Sequence, residues 1–117
     1  MRFFALVLLV GLIGTEAHAA DPNGRFSIVG AGARKCSEYA GATDQQKVYV
    51  ETWMAGYITA TNRLASDTWH VVGQTSIEKV NAMIAQYCEA NPDVAIGIAI
   101  PRVLERRAPE RSRKSPN

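Results

Sequence analysis

Residues 43–65, TDQQKVYVETWMAGYITATNRLA, carry the periodicity of the longest predicted helix in the chain. Thr43 is followed three residues later by Gln46, the spacing of a capping box, so we predict a helix that begins at Asp44. Gly56 costs about 1 kcal/mol relative to alanine inside a helix, which predicts that a backbone or an aromatic ring packs closely against it. Apolar residues recur at steps of three and four and form one stripe along this helix: Val50, Trp53, Tyr57, Ala60 and Leu64.

Shorter helices flank this one on both sides. A helical turn is predicted to begin near Cys36 and to end at Gly41, with Tyr39 pointing inward. After a connection broken by Gly73, a second full helix is predicted over residues 76–90, because TSIE at residues 75–78 has the pattern of a capping box. The inward side of this helix would carry Ile77, Val80, Ile84, Tyr87 and Cys88.

A further helix is predicted to begin at Asn91, which would cap it, with Pro92 at the first helical position. Its inward side would carry Val94, Ile98 and Val103. Pro101 lacks a backbone N–H, so we expect it to kink or end this helix.

Residues 1–20, MRFFALVLLVGLIGTEAHAA, have the order of an export signal. Arg2 precedes an apolar run that is too short for a permanent membrane span, and a small-x-small cleavage site follows at residues 17–19. We therefore expect the mature protein to start near Ala20 in an oxidising compartment, where Cys36 and Cys88 are each other's partners. In the chain-entropy model such a bridge contributes roughly 4 kcal/mol to stability.

The expected fold is all-α: a small domain of three to four helices stapled by one disulfide. Removing 19 of the 117 residues leaves 98, which is enough for one domain only. The predicted organisation is a signal peptide over residues 1–19, an irregular glycine-rich arm over 20–35, the helical domain over 36–107 and a basic, disordered tail over 108–117. We expect no membrane-spanning segment after cleavage.

The positive charge is concentrated at the C-terminal end. Residues 102–117 contain six basic and two acidic side chains, a balance of +4, whereas residues 20–101 contain six basic and eight acidic side chains, a balance of −2. A nucleic-acid-binding domain would instead carry its basic residues on a folded face. We therefore expect protein partners and no nucleic acid.

The inventory of side chains argues against an enzyme. After cleavage His70 is the one histidine left, so there is no cluster for catalytic zinc, and a paired cysteine is no nucleophile. The acidic residues fall mostly at caps and polar faces, although two of them could still meet in space. We predict no catalytic residues, metal or cofactor. His70 is interpreted as a loop-packing residue, with pH sensing as the alternative.

The aromatic stripe of the long helix has two interpretations. Trp53 and Tyr57 could belong to the core, as helical stripes usually do. Alternatively, they could join Met54 and Ile58 in a surface for a partner chain, since aromatic residues and methionine are enriched in interfaces. Trp53, Met54, Tyr57 and Ile58 are therefore the candidate partner or client surface.

Three short motifs carry a resemblance to a known family. They are KCSEY at residues 35–39, WMAGY at residues 53–57 and YCEANP at residues 87–92. Together with the export signal, they resemble the HdeA/HdeB family of small periplasmic acid-stress chaperones. The resemblance covers roughly residues 36–104.

This resemblance implies an all-helical periplasmic protein with Cys36 and Cys88 as its disulfide. It also implies a mechanism: a homodimer buries apolar surface at neutral pH, and acid loosens the protein so that this surface holds unfolding periplasmic proteins. Such a response is physically reasonable, because carboxylates that are paired in the folded state lose their stabilising effect when they are protonated.

A second family offers an alternative. The Trp-x-x-Gly-Tyr pattern at residues 53–57 is also similar to small, disulfide-bonded periplasmic immunity proteins of the Tai kind, which inhibit peptidoglycan-amidase toxins. Those proteins often carry further cysteines that this chain lacks. An acid-activated holdase is the first functional hypothesis, and an immunity-type binder of one enzyme is the alternative.

Overall fold

The computed structural model describes residues 20–116, so the predicted signal peptide lies outside the described residues. Within this range the fold is all-α, as predicted, with no strand longer than an isolated bridge. No helix among these residues has the length and apolar character needed to cross a membrane. The helices are α1 (Cys36–Ala40), α2 (Asp44–Leu64), α3 (Ile77–Ala90) and α4 (Ile96–Arg107), with 3-10 turns at Gly30–Ala33 and Ala108–Glu110.

The predicted starts of α2 and α3 are confirmed to within one residue. The Gln46 amide donates to the Thr43 hydroxyl oxygen at 3.3 Å, and the Thr43 amide donates back to Gln46 Oε1 at 2.9 Å. The cap of α3 is Ser76, whose hydroxyl accepts from the Lys79 amide at 3.3 Å. Thr75, the predicted cap residue, instead accepts a hydrogen bond from Arg107.

The start of α4 differs from the prediction. Asn91 closes α3 rather than opening the next helix, since its side-chain amide donates to the Tyr87 carbonyl at 2.8 Å. The carbonyls of Pro92 and Val94 accept from the Ser37 and Cys36 amides at 2.9 and 2.8 Å. These are amides at the start of α1 that have no partner within their own helix. The turn after α3 thus satisfies amides of α1, and α4 begins only at Ile96.

Pro101 does not end α4, which continues to Arg107. The proline is the sixth residue of the helix, and its missing N–H forfeits the bond to the carbonyl four residues earlier. Ile100, Val103 and Leu104 are buried beside it. Burial of each such side chain contributes about 1.5–3 kcal/mol, which together exceeds the cost of about 3 kcal/mol for a proline inside a helix.

The core contains only apolar residues and the two cysteines, and no polar or charged residue in the described range is buried. On α3, Val80, Ile84 and Cys88 face inward, as predicted. On α2 the buried residues are Val50, Met54 and Ile58. Most of the predicted α2 stripe is therefore displaced by one residue, and Leu64 at its end is 82% exposed.

The predicted disulfide is confirmed. Cys36 and Cys88 are bonded and buried, with their Cα atoms 4.7 Å apart. The bridge joins the start of α1 to the end of α3. All of α2 therefore lies inside the loop that the disulfide closes.

The close approach predicted at Gly56 occurs at other glycines. Gly56 has open space around it. A Cβ on Gly32, in the N-terminal arm, would lie 2.2 Å from the Trp53 ring, and one on Gly97 would lie 2.9 Å from Ile28. These glycines let the arm pack between α2 and α4.

The tail also differs from the prediction. Residues 108–110 form a 3-10 turn, and Ser112 pairs with His70 in an isolated antiparallel bridge. The expectation of disorder over residues 108–117 is therefore corrected for residues 108–112, because the connection between α2 and α3 supplies backbone partners for them.

Candidate functional site

The structure does not bring the four predicted surface residues onto one surface. Met54 and Ile58 are 0% and 2% exposed, so both belong to the core. Trp53 and Tyr57 are half-buried and pack against the edge of that core. A surface that uses all four residues therefore requires the core to open.

Trp53 attaches the N-terminal arm to α2. Its indole Nε1–H donates to the Val29 carbonyl at 2.9 Å, and its ring packs against Gly30 and Gly32. A buried tryptophan needs a partner for its N–H, which explains why Trp53 lies at the edge of the core while aliphatic Met54 enters it. The Trp53 and Tyr57 ring centroids are 5.9 Å apart.

Tyr49 extends this aromatic row and was missed in the sequence prediction. It lies four residues before Trp53 and eight before Tyr57, so the helical repeat places all three on one side of α2. We call Tyr49, Trp53 and Tyr57 the aromatic strip. Tyr49 is 54% exposed, and the Arg34 guanidinium lies 5.5 Å from its ring centroid.

A further apolar side chain is exposed beside the strip: Val29, whose carbonyl accepts from Trp53, is 71% exposed. Val48 on α2 is 61% exposed, but the helical repeat places it on a different side of the helix. Isolated apolar residues are normal on protein surfaces, but neighbouring ones mark contact surfaces more often. The arm and the first half of α2 thus present apolar surface that adjoins the core stripe of α2.

Comparison with known proteins places the chain in a family. The family model described as HdeA/HdeB family matches residues 3–97, which is most of the sequence. The chain belongs to the HdeA/HdeB family. No curated protein and no solved structure matches it. Members of this family are periplasmic proteins of a chaperone type. The match includes both cysteines and ends at Gly97, so most of α4 and the C-terminal segment lie beyond it.

In this HdeA/HdeB-family chain, α2 is joined to α1 by a polar contact that involves a carboxylate. The Tyr39 hydroxyl donates to Glu51 Oε1 at 2.9 Å. Burial raises the pKa of Tyr39 well above its usual value, and the adjacent Glu51 carboxylate raises it further. The neutral phenol therefore remains the hydrogen-bond donor throughout the acidic and neutral range.

Tyr57, the last residue of the aromatic strip, has a phenol in an environment similar to that of Tyr39. Burial raises the pKa of its phenol, and the negative charge of Glu105 on α4 acts in the same direction. Both tyrosine shifts disfavour the phenolate, so they influence stability at alkaline pH. Acid acts on the carboxylates instead.

An open acidic cleft of ≈ 410 Å³ lies between α1, α2 and α3. Glu51, Glu78 and Glu89 line it, with Lys47 at its side. Among the described residues, no group of three His, Cys, Asp or Glu side chains is arranged to hold a metal ion. The three carboxylates therefore line one surface cleft, and in the described part of the chain they do not form a metal site.

Proposed function

We propose that this HdeA/HdeB-family chain is an acid-activated holdase of the periplasm. In this role it would bind unfolding proteins through apolar surface that the core and the aromatic strip supply. The observation that carries the proposal is the purely apolar core, to which α2 contributes Val50, Met54 and Ile58 without a covalent bond to another helix. Family membership supports the chaperone class.

Acid supplies the driving force for opening. At pH 2–3 carboxyl groups are mostly neutral and basic groups are charged. Residues 20–117 contain twelve lysines and arginines besides His70, so nearly all remaining side-chain charge is positive. Mutual repulsion then destabilises the compact state, while contacts such as that of Tyr39 with the Glu51 carboxylate lose their charge.

The disulfide limits how far the protein opens. Because α2 lies inside the loop between Cys36 and Cys88, it stays tethered at both ends when its packing is lost. A tethered helix can expose Met54 and Ile58 together with the aromatic strip and return when the pH rises. The expected acid state is therefore open, oxidised and reversible.

Circular dichroism with ANS binding from pH 7 to pH 2 tests this opening on the oxidised protein. Loss of the near-UV signal with rising ANS fluorescence, both reversed on neutralisation, is the expected result. Light scattering of an acid-sensitive client at pH 2–3 then tests the holdase activity. A protein that stays rigid and leaves client aggregation unchanged contradicts the proposal.

A matched pair of variants tests the role of the aromatic strip. Tyr49 and Val48 are both exposed on α2, but the helical repeat places Val48 on a different side of the helix from the strip. We expect Tyr49→Ser to weaken client protection by about half and Val48→Ser to leave it unchanged, because contact strength follows apolar area buried. Equal effects of the two variants would remove the strip from the client surface.

A further inference from the structure

The C-terminal strap, defined here as residues 108–114, is seated on the connection between α2 and α3. The His70 amide donates to the Ser112 carbonyl at 3.1 Å, and the Ser112 amide donates back to the His70 carbonyl at 2.9 Å. The Trp69 amide donates to the same Ser112 carbonyl at 2.8 Å. A single residue of the strap thus closes three backbone hydrogen bonds.

Gly73 makes room for the strap. Its φ is +59°, and a Cβ at this position would lie 2.1 Å from the Glu110 carbonyl oxygen. Glycine is therefore required twice, once for the left-handed backbone and once for the passing strap. Direct contact at Gly73 and the bridge at Ser112 fix the strap at two neighbouring points.

The charges around the strap all change in the same direction in acid. Asp67 is paired with Arg113, and Glu110 is paired with Arg107. Protonation of these two carboxyl groups removes both attractions. The cations at the site, which also include Arg111 and Lys114, keep their charge.

His70 lies directly beneath the strap. Its Nδ1 is buried and has no hydrogen-bond partner within the described structure, and its side chain lines the same shallow pocket as Ser112 and Lys114. The carboxyl groups of both ion pairs, Asp67 and Glu110, are more than half exposed, whereas no charged residue in the described range is buried in the core. Acid therefore reaches the charges of the strap directly, without any prior opening of the core.

The strap steadies a segment that reaches into the core. Val71 and Val72 in the connection are 7% and 0% exposed. Apart from the strap bonds, the backbone of this part is held to α2 by the Val71 amide, which donates to Asn62 Oδ1 at 2.7 Å. The remaining described bonds, from Gly73 to His70 and from Thr75 to Val72, are internal to the connection.

We propose that acid releases the C-terminal strap from the connection before the core opens, and that this release sets the pH at which Val71 and Val72 leave the core. The first part stands on the strap contacts alone, and the use of the freed valines for client binding rests on the proposed function. The strap lies beyond the residues that the family model matches, so the proposal rests on the contacts in this chain and not on the family.

Amide hydrogen exchange on the full, oxidised chain tests the order of events. Between pH 7 and about pH 4 we expect protection of the Trp69, His70 and Ser112 amides to fall about tenfold or more. The Cys36 and Ile96 amides, which bond to Val94 and Arg34, serve as controls and should keep their protection. A simultaneous loss at all five amides, or no loss before the core opens, overturns the proposal.

Two proline variants test whether the strap sets the pH of opening. Ser112→Pro removes the amide that donates to His70, while Ser115→Pro lies beyond the strap and serves as the control. We expect Ser112→Pro to lose protection at the Trp69 and His70 amides already at pH 7. We also expect its ANS midpoint to rise by about half a pH unit. A midpoint equal to that of Ser115→Pro contradicts the proposal.

A pair of glycine variants separates the strap contact from backbone strain. Gly73→Ala and Gly24→Ala both place alanine at positive φ, but a Cβ at Gly24 meets nothing within 4 Å. Only Gly73→Ala should free the strap amides. If the strap responds as expected but wild-type protein fails to protect clients at pH 2–3, the holdase proposal fails while strap release stands.

Discussion

Two isolated backbone bridges tie the N-terminal arm and the C-terminal strap to connections between helices, and they are reinforced very differently. Lys35 pairs with Ala95 beside the buried Cys36–Cys88 disulfide. His70 pairs with Ser112 in a region held by surface ion pairs and a glycine contact. The hydrogen bonds are alike in length, so the surroundings and not the bridges themselves decide how each responds to acid.

The difference follows from what each reinforcement depends on. A covalent bond between buried sulfur atoms does not titrate, whereas the pair of Asp67 and Arg113 loses its attraction when the carboxylate is protonated. Exposed pairs of this kind contribute only about 0–1 kcal/mol each, so a small change in charge can undo them. We therefore expect the bridge beside the disulfide to persist in acid and the bridge between His70 and Ser112 to be lost.

The largest expected effect comes from removing the disulfide. The Cys36→Ala and Cys88→Ala double variant should lower the free energy of unfolding by roughly 4 kcal/mol, since it frees the loop between them in the unfolded state. The Lys35–Ala95 bridge should then no longer resist acid better than the His70–Ser112 bridge does. Urea unfolding at pH 7 measures the loss, with reduced wild-type protein as the control. A loss below about 1 kcal/mol would mean that packing alone holds this end together.

The next effect tests how the arm beside the first bridge is seated. Gly32→Ala should lower the free energy of unfolding by about 1–3 kcal/mol, because its methyl group would overlap the Trp53 ring. Gly56→Ala is the matched control: its methyl group meets nothing and improves helix propensity, so we expect stabilisation of about 0.5–1 kcal/mol. Thermal unfolding of both variants shows whether each one loses or gains stability. A change in the same direction for both would contradict the packing of the arm on α2.

These two glycines also show where prediction from sequence succeeded and where it stopped. Periodicity and capping located α2 and α3, and two cysteines in a chain predicted to be exported indicated their own pairing. The close approach predicted at Gly56 was wrong: the Trp53 ring packs on Gly32, which is far away in sequence. The local sequence around a residue does not show which distant segment of the chain will contact it.

The α2 stripe went wrong for a related reason. Val50, Met54 and Ile58 repeat with the same spacing as Tyr49, Trp53 and Tyr57, so periodicity alone cannot choose between the two stripes. The choice depends on the arm, whose Val29 carbonyl satisfies the Trp53 indole at the edge of the core. Likewise, the tail appeared to have nothing to bind because its partner, the α2–α3 connection, is formed only by the fold.

A smaller effect is expected at the contact between α1 and α2. Tyr39→Phe removes the hydrogen bond to Glu51 and should cost about 0.5–1.5 kcal/mol at pH 7. The raised pKa of Tyr39 means that wild-type stability from this group is complete below about pH 10 and falls as the pH rises further. The difference between the two proteins should therefore narrow in alkali. Urea unfolding at neutral and alkaline pH tests this trend, and a constant difference would contradict it.

The smallest expected effect makes the sharpest comparison of the two bridges. Asp93 pairs with Lys35 at 3.2 Å beside the first bridge, and Asp67 pairs with Arg113 beside the second. Asp93→Asn should change the free energy of unfolding by less than about 0.5 kcal/mol and leave the Ile96 amide protected, because the disulfide holds that end without the ion pair.

Asp67→Asn is the counterpart, since asparagine tolerates the positive φ of this position and only the charge is lost. Its effect on global stability should be as small as that of Asp93→Asn. Protection of the His70 amide at pH 7 should nevertheless fall, because no covalent bond replaces the lost attraction. If both variants leave their bridges equally protected, the ion pair of Asp67 with Arg113 does not distinguish the two ends.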